Sequence, residues 1–278
     1  MGLHQIHYQE SENRVRPVET VMRDFLRKMP SALALVRTIE YLLLSRYEYR
    51  PPVMDVGCGD GFFGCYLFKG RNQLIDLGVD LNQRRAQKAK NSGGYREILT
   101  CNASDIPYPD AHFQSILSNC VFEHLPNLVE VFMEIRRLLK PGGTYIFTAH
   151  SHYYNDYLFT VRFLRQLKCN SLASLYIKFI NAIFKHFNCL PPEEWQKKLN
   201  KAGLALVHYE YYLGPNMLGA FDRLLPLAAP SYIWYVISQR YTLLPRAMAQ
   251  LLFHRYLCRL AELKEVTGGG LLMIAQRK

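Results

Sequence analysis

The nine residues Val53-Met54-Asp55-Val56-Gly57-Cys58-Gly59-Asp60-Gly61 limit the fold more than any other stretch of this chain. An apolar run carrying one acid passes into three alternating glycines and then into a helical pattern. A strand, a glycine loop and a helix in that order let the backbone approach a ligand where any side chain would obstruct it. A dinucleotide-binding loop of the form G-x-G-x-x-G would place its third glycine at position 62, but Phe62 stands there.

The residues that follow repeat the alternation of short apolar runs and helical patterns that marks a parallel sheet with crossover helices. Strands are predicted over residues 53–56, 74–79, 98–101, 115–118 and 144–148. The clearest helix is predicted over 127–139, with Leu128, Val131, Phe132, Ile135, Leu138 and Leu139 on one face, a capping-box-like pair Asn127 and Glu130 at its start, and Pro141-Gly142-Gly143 ending it. Residues 18–45 read as one or two helices broken near Pro30-Ser31. A short helix from Pro191 to Gly203, a strand over 204–213 and a last strand over 271–276 complete the core. The expected layout is an N-terminal helical segment (1–50), a ligand-binding core (51–150), a helical insertion (151–190), a core helix and strand (191–213), a second helical insertion (214–265) and a final core strand (266–278).

With 278 residues and 49% of them hydrophobic, the chain can bury a substantial core. Seven cysteines, odd in number and without a C-x-x-C pair, argue against a disulfide framework or a zinc site. No apolar signal-peptide core is present near the N-terminus, so a reducing cytoplasm is the expected compartment. The longest uncharged stretch of the C-terminal half, residues 224–239, is too short to span a bilayer and contains Pro226 and Pro230, so no transmembrane helix is predicted. The formal charge of +11 is unevenly placed: residues 1–150 carry 18 Lys/Arg against 16 Asp/Glu, and residues 151–278 carry 16 against 7. A basic surface suits nucleic acid, anionic lipid, an acidic substrate or plain solvation.

The D-x-G-x-G-x-G pattern from Asp55 to Gly61 resembles motif I of class I methyltransferases that use S-adenosylmethionine (SAM). Further segments follow in that family's order: Leu77-Gly78-Val79-Asp80, Ala103-Ser104-Asp105-Ile106-Pro107, Ser118-Asn119, Glu123-His124-Leu125 and Leu138-Leu139-Lys140-Pro141-Gly142-Gly143. The resemblance covers roughly residues 50–150 and implies a doubly wound α/β sheet of seven strands, the last antiparallel, with N-terminal helices and two helical insertions. It implies SAM as cofactor, held by Asp55, Gly57, Cys58, Gly59, Gly61, Asp80, Leu81, Ser104, Asp105, Ile106 and Asn119. Asp80 would accept from both ribose hydroxyls and Asp105 from the adenine amine. Cys58 would contribute its backbone alone.

The likeness is strongest to the small-molecule branch. Methyltransferases of base amino groups carry Asn/Asp-Pro-Pro-aromatic where this chain has Asn119-Cys120-Val121-Phe122, which disfavours a nucleic-acid acceptor. The implied acceptor is a small apolar or aromatic metabolite or a lipid; an RNA methyltransferase, another transferase on this fold and a non-catalytic SAM-binding subunit are the alternatives. His124, just beyond the fourth strand, is the candidate catalytic base, set against a structural hydrogen bond closing that loop. His150 and His152 stand at i, i+2, but no third ligand is evident and no metal is assigned. In the first insertion Leu172, Tyr176, Phe179, Ile180, Ile183 and Phe187 are expected to share one helical face, with Lys178 and Lys185 opposite. Three readings of the insertions stay open: mutual packing, a lid over an apolar acceptor, and peripheral contact with anionic lipid.

Overall fold

All five apolar runs of the core become strands; those away from the sheet edge alternate side chains between two buried layers, so apolar residues are needed at nearly every position, while the edge strand is only partly buried. In the computed structural model, residues 15–238, 246–263 and 265–278 are described; side chains of residues 229–238 and 246–252 are not. The strands are β1 (Val53–Val56), β2 (Ile75–Asp80), β3 (Tyr95–Thr100), β4 (Phe113–Asn119), β5 (Leu139–His150), β6 (Leu204–Tyr212) and β7 (Gly270–Arg277). They form one seven-stranded sheet in the order β3-β2-β1-β4-β5-β7-β6. The β1–β2, β2–β3, β1–β4 and β4–β5 pairs are parallel, and β7 runs antiparallel to both β5 and β6. Strand order reverses between β1 and β4, which opens a crevice at the C-terminal ends of those strands.

Helices cover both faces. On β5, Tyr145 and Phe147 enter one buried cluster with α5 (Leu128–Leu138) and α9 (Pro192–Lys201), while Ile146 enters the other, with α1 (Val18–Leu26) and α2 (Ser31–Leu44). Trp195 of α9 is fully buried against Phe132 and Phe147, with ring centroids 6.4 and 6.1 Å away. The remaining helices are α3 (Phe62–Phe68), α4 (Gln83–Lys90), α6 (Tyr154–Tyr157), α7 (Phe159–Gln166), α8 (Asn170–Phe184), α10 (Pro215–Ser238) and α11 (Arg246–Ala261).

Three expectations are corrected in detail. β3 begins at Tyr95, three residues before its apolar run, because Tyr95 is drawn in by the buried Asp55. Asn127 caps α5 without a backbone hydrogen bond; its amide donates to the Glu130 carboxylate instead, at 3.4 Å. The proposed single face of α8 is divided, since Ile180 is buried while Leu172, Phe179, Ile183 and Phe187 are exposed.

The two insertions do pack on each other. Asp222 of α10, 2% exposed, accepts from the Thr160 backbone N–H at the start of α7 and from the Tyr176 hydroxyl of α8. Met217, Leu218 and Phe221 are buried, whereas Leu227 is exposed. Of the apolar residues of the second insertion, Ile233, Trp234, Tyr235, Leu251 and Leu252 have side chains outside those described. Among the described residues, no helix is long and apolar enough to cross a membrane.

Candidate active site

The glycine loop is fastened to the neighbouring strand at its base. Gly57 and Cys58 both donate backbone N–H groups to the Val79 carbonyl, at 2.7 and 3.0 Å. Gly57 has φ +76, and a Cβ there would stand 2.3 Å from a Val121 methyl. Gly59 has φ +59, but a Cβ there would meet nothing within 4 Å. The first glycine is therefore required by packing and backbone together, and the second opens a space beside the loop that a ligand can enter.

Asp80, at the end of β2, faces this loop. Its Oδ2 accepts from the Gly59 N–H at 2.9 Å and its Oδ1 from the Asn82 N–H at 2.8 Å. Each oxygen retains further accepting capacity. Leu81 beside it is 74% exposed. Asp55 is oriented away from this space: it is buried, and its Oδ2 accepts from the Tyr95 hydroxyl at 2.7 Å. Burial pushes the Asp55 carboxyl up to about 7, against the opposing effect of the Tyr95 bond and with a smaller contribution from Asp80. The Cys58 thiol is pushed well up by burial, in keeping with a backbone role.

The segment Ser104–Ile106 is held by a clamp that sequence reading missed. Ser104 and Asp105 donate backbone N–H groups to Asn102 in a tight turn, and Asp105 is exposed. Ile106, buried, donates its N–H to Glu134 at 2.8 Å, and its carbonyl accepts from Arg137 at 2.9 Å. Glu134 and Arg137 are themselves ion-paired at 2.7 Å on α5. The acid and the arginine at i, i+3 were visible as a pair, but the segment 28 residues earlier that they grip was not.

Across the switch point, the ends of β4 and β5 carry a second, largely buried polar group. Asn119 donates to Glu40 at 2.8 Å and accepts from the Thr148 hydroxyl at 2.7 Å. The Cys120 thiol donates to the other Glu40 oxygen at 2.8 Å, and the Cys120 N–H to Thr148 at 2.9 Å. Glu40, fully buried, is ion-paired with Arg37 on the same helix, α2. Glu123 is 1% exposed, and burial pushes its carboxyl up to about 8. His150 Nε2 stands 3.6 Å from Glu123 Oε1, and burial, then His186 and His124, push its imidazole well down. One ligand-type atom from each of Cys120, Glu123 and His150 lies within 4.8 Å of the others. Glu123 Oε2 and His150 Nδ1 are buried without a hydrogen-bond partner, so both await one.

His124 Nε2 faces the same Glu123 Oε1 as His150, at 4.0 Å against 3.6 Å. His124, on a 3-10 turn (Phe122–His124), has Nδ1 3.2 Å from the Lys185 carbonyl and a half-exposed ring near His186. Burial lowers its pKa, partly countered by that carbonyl. It thus ties the β4 loop to the end of α8. His152 lies against Tyr153, outside the His150 group. Glu40 and Arg37 were missed, although a lone ion pair in the otherwise apolar run of α2 was the available signal.

This geometry agrees with known proteins. A family model described as a methyltransferase domain matches residues 54–147. The chain is 34% identical over 100 residues to a fatty-acid O-methyltransferase of Mycolicibacterium smegmatis, covering 34% of this chain and 36% of that protein. It is 30% identical over 113 residues to a ubiquinone biosynthesis O-methyltransferase of Coxiella burnetii, covering 39% of this chain and 47% of that protein. The matches thus span less than half the length of these relatives. Among solved structures, a putative sarcosine dimethylglycine methyltransferase from Galdieria sulphuraria superposes with a TM-score of 0.53 at 15% identity, over 87% of this chain and 86% of that one. Geranyl diphosphate methyltransferase in complex with SAM superposes with a TM-score of 0.51 at 16% identity, over 89% and 90%. The Rossmann-like fold of class I methyltransferases therefore extends over nearly the whole chain.

Proposed function

We propose that this chain transfers the methyl group of SAM to a small apolar or aromatic acceptor, a metabolite or a lipid. The observation that carries the reading is the pairing of an open space at Gly59 with an Asp80 carboxylate fixed against the same loop. The cofactor fits these residues: the open space at Gly59 admits close approach to a loop to which Gly57, Cys58 and Gly61 would contribute backbone, and Asp80 retains acceptor sites for a vicinal diol. Leu81, Ser104, Asp105 and Ile106 border the same strand ends and would flank the adenosine. Asp55 would act indirectly, by holding β1 to Tyr95 behind the loop.

SAM, when bound, supplies a methyl group already activated by its sulfonium. The chain's own task is then to align an acceptor and exclude water, for which orientation can contribute on the order of 7–11 kcal/mol. Glu123 and His150 are suited to take a proton from an acceptor hydroxyl, since both have buried, unpartnered atoms and neither is locked into a strong ion pair. Asn119 and Cys120 hold that group in register through Glu40 and Thr148. His124 would serve as a positioning residue, fastening this turn to α8.

Support for an oxygen acceptor comes from the similarity to a fatty-acid O-methyltransferase and a ubiquinone biosynthesis O-methyltransferase. Titration calorimetry with SAM and S-adenosylhomocysteine tests the cofactor reading, and absence of binding by both would refute it. A screen of fatty acids, phenols and isoprenoid lipids with methyl-labelled SAM tests the acceptor class; labelling of RNA alone would overturn it.

A further inference from the structure

Helix α8 packs by one side only. Ala173 and Ile180 are buried, and Tyr176 reaches Asp222 of α10. Leu172, Leu175, Phe179 and Ile183 fall within an arc of about 80° at 3.6 residues per turn, and all four are exposed, by 42% to 63%. Helix α7 adds Phe159 and Phe163, one turn apart and exposed, with Arg223 of α10 over the Phe159 ring. Monomeric soluble proteins rarely leave a contiguous apolar surface of this kind without a partner.

The charge within these two helices is of one sign, although Arg165 of α7 is ion-paired with Asp156 of α6 at 2.8 Å. Residues 158–192 contain five Lys/Arg and no Asp or Glu. Lys178 lies about 60° beyond the edge of the apolar arc. It is exposed, and a lysine so placed can lay its stem along apolar material while its ammonium reaches outward. A second copy of the chain would fit poorly here, because a two-fold contact brings the same patch, and therefore the same bases, face to face. An anionic bilayer satisfies both features, since its acyl boundary takes the apolar arc and its phosphates take the flanking bases.

We propose that the outer face of α7 and α8 seats the protein on an anionic membrane surface, with Leu175 and Phe179 entering the acyl boundary and Lys178 pairing with lipid phosphate. The helices would lie in the interface rather than cross it, as no described helix is a spanning candidate. The inference is independent of whether the acceptor is a lipid.

The test is co-sedimentation of the full chain with phosphatidylcholine vesicles, with and without phosphatidylglycerol, at low and high salt. Binding is expected only with phosphatidylglycerol, weakening as salt screens the bases. Lys178→Gln should lower the partition about fivefold, which corresponds to ~1 kcal/mol for one basic residue. Phe179→Glu should lower it more than tenfold. Because these side chains are exposed, the melting temperature should not move; if Phe179→Glu fails to fold, Leu175→Ser supplies the same readout. The proposal is overturned if phosphatidylglycerol vesicles are not bound at low salt, or if Phe179→Glu and Leu175→Ser bind as tightly as the parent chain. It is overturned equally if light scattering shows a dimer that Phe179→Glu dissociates while vesicles remain unbound, for the face would then be a contact between copies.

Discussion

Replacing Asp80 separates its two tasks, since the carboxylate accepts from the protein and is expected to accept from the cofactor. In Asp80→Ala the Gly59 N–H loses its partner at 2.9 Å and the Asn82 N–H loses one at 2.8 Å. Bonds to a charged acceptor contribute about 1.5–3 kcal/mol each when sheltered, but the Asn82 site is solvent-accessible and water can replace it. The ligand-free protein should therefore lose only about 1–2 kcal/mol. Loss of the bond to a ribose hydroxyl should weaken SAM binding by about 1.5–3 kcal/mol, or roughly 10- to 150-fold. Asp80→Asn divides the two effects: its amide oxygen can still accept from Gly59, so the melting temperature should stay near that of the parent, while affinity falls with the lost charge. Calorimetric titration of S-adenosylhomocysteine and thermal denaturation without ligand make the comparison. If Asp80→Asn binds as tightly as the parent protein, the ribose assignment fails.

Other perturbations follow from the same geometry. Gly57→Ala drives a Cβ to 2.3 Å from Val121 at φ +76 and should destabilise the fold by at least about 1–3 kcal/mol, whereas Gly59→Ala, which meets no neighbour but keeps φ +59, should cost only about 1–2 kcal/mol of stability while abolishing SAM binding. The Glu123 carboxyl, held up to about 8 in the folded chain, stays protonated there over a range in which the unfolded chain has released its proton. Stability should thus fall as pH rises toward 8, by at most ~1.4 kcal/mol per pH unit for this group, and Glu123→Gln should flatten the slope measured by denaturant titration. If Glu123 takes the acceptor's proton, turnover should rise through about pH 8 and that limb should vanish in Glu123→Gln; an unchanged pH profile would exclude the role. Trp195→Ala should cost about 3–5 kcal/mol in thermal unfolding, since the indole is fully buried between Phe132 and Phe147.

The parts of the fold read correctly from sequence are those whose information is local. The apolar runs of β1, β4 and β5, the glycine loop and the face of α5 each lie within a dozen residues, and their periodicity decides their structure. Asp80 was identifiable because it ends a strand at a fixed distance from the loop it faces. The polar group at the ends of β4 and β5 was not, because Glu40 meets Asn119 and Cys120 across about 80 residues of chain. Single-sequence patterns carry no term for such contacts. Asp55 shows a subtler limit: its position at the end of β1 was read correctly, but the direction of its side chain depends on Tyr95, two strands away in the sheet. In α8 the apolar residues were found but the buried side was not, because a helix apolar around most of its circumference has no preferred face until Asp222 and its neighbours choose one.

The contact between Gly57 and Val121 makes two loops share one volume. Any side chain added on the β1 side must be subtracted on the β4 side, so the size of residue 121 sets how high the cofactor loop can ride above the sheet. Variants aimed at acceptor choice through positions 120–124 would therefore register first as altered cofactor affinity. A smaller residue at 121 would be expected to let the glycine loop settle toward the acceptor group, so the two half-sites would be retuned together rather than one at a time.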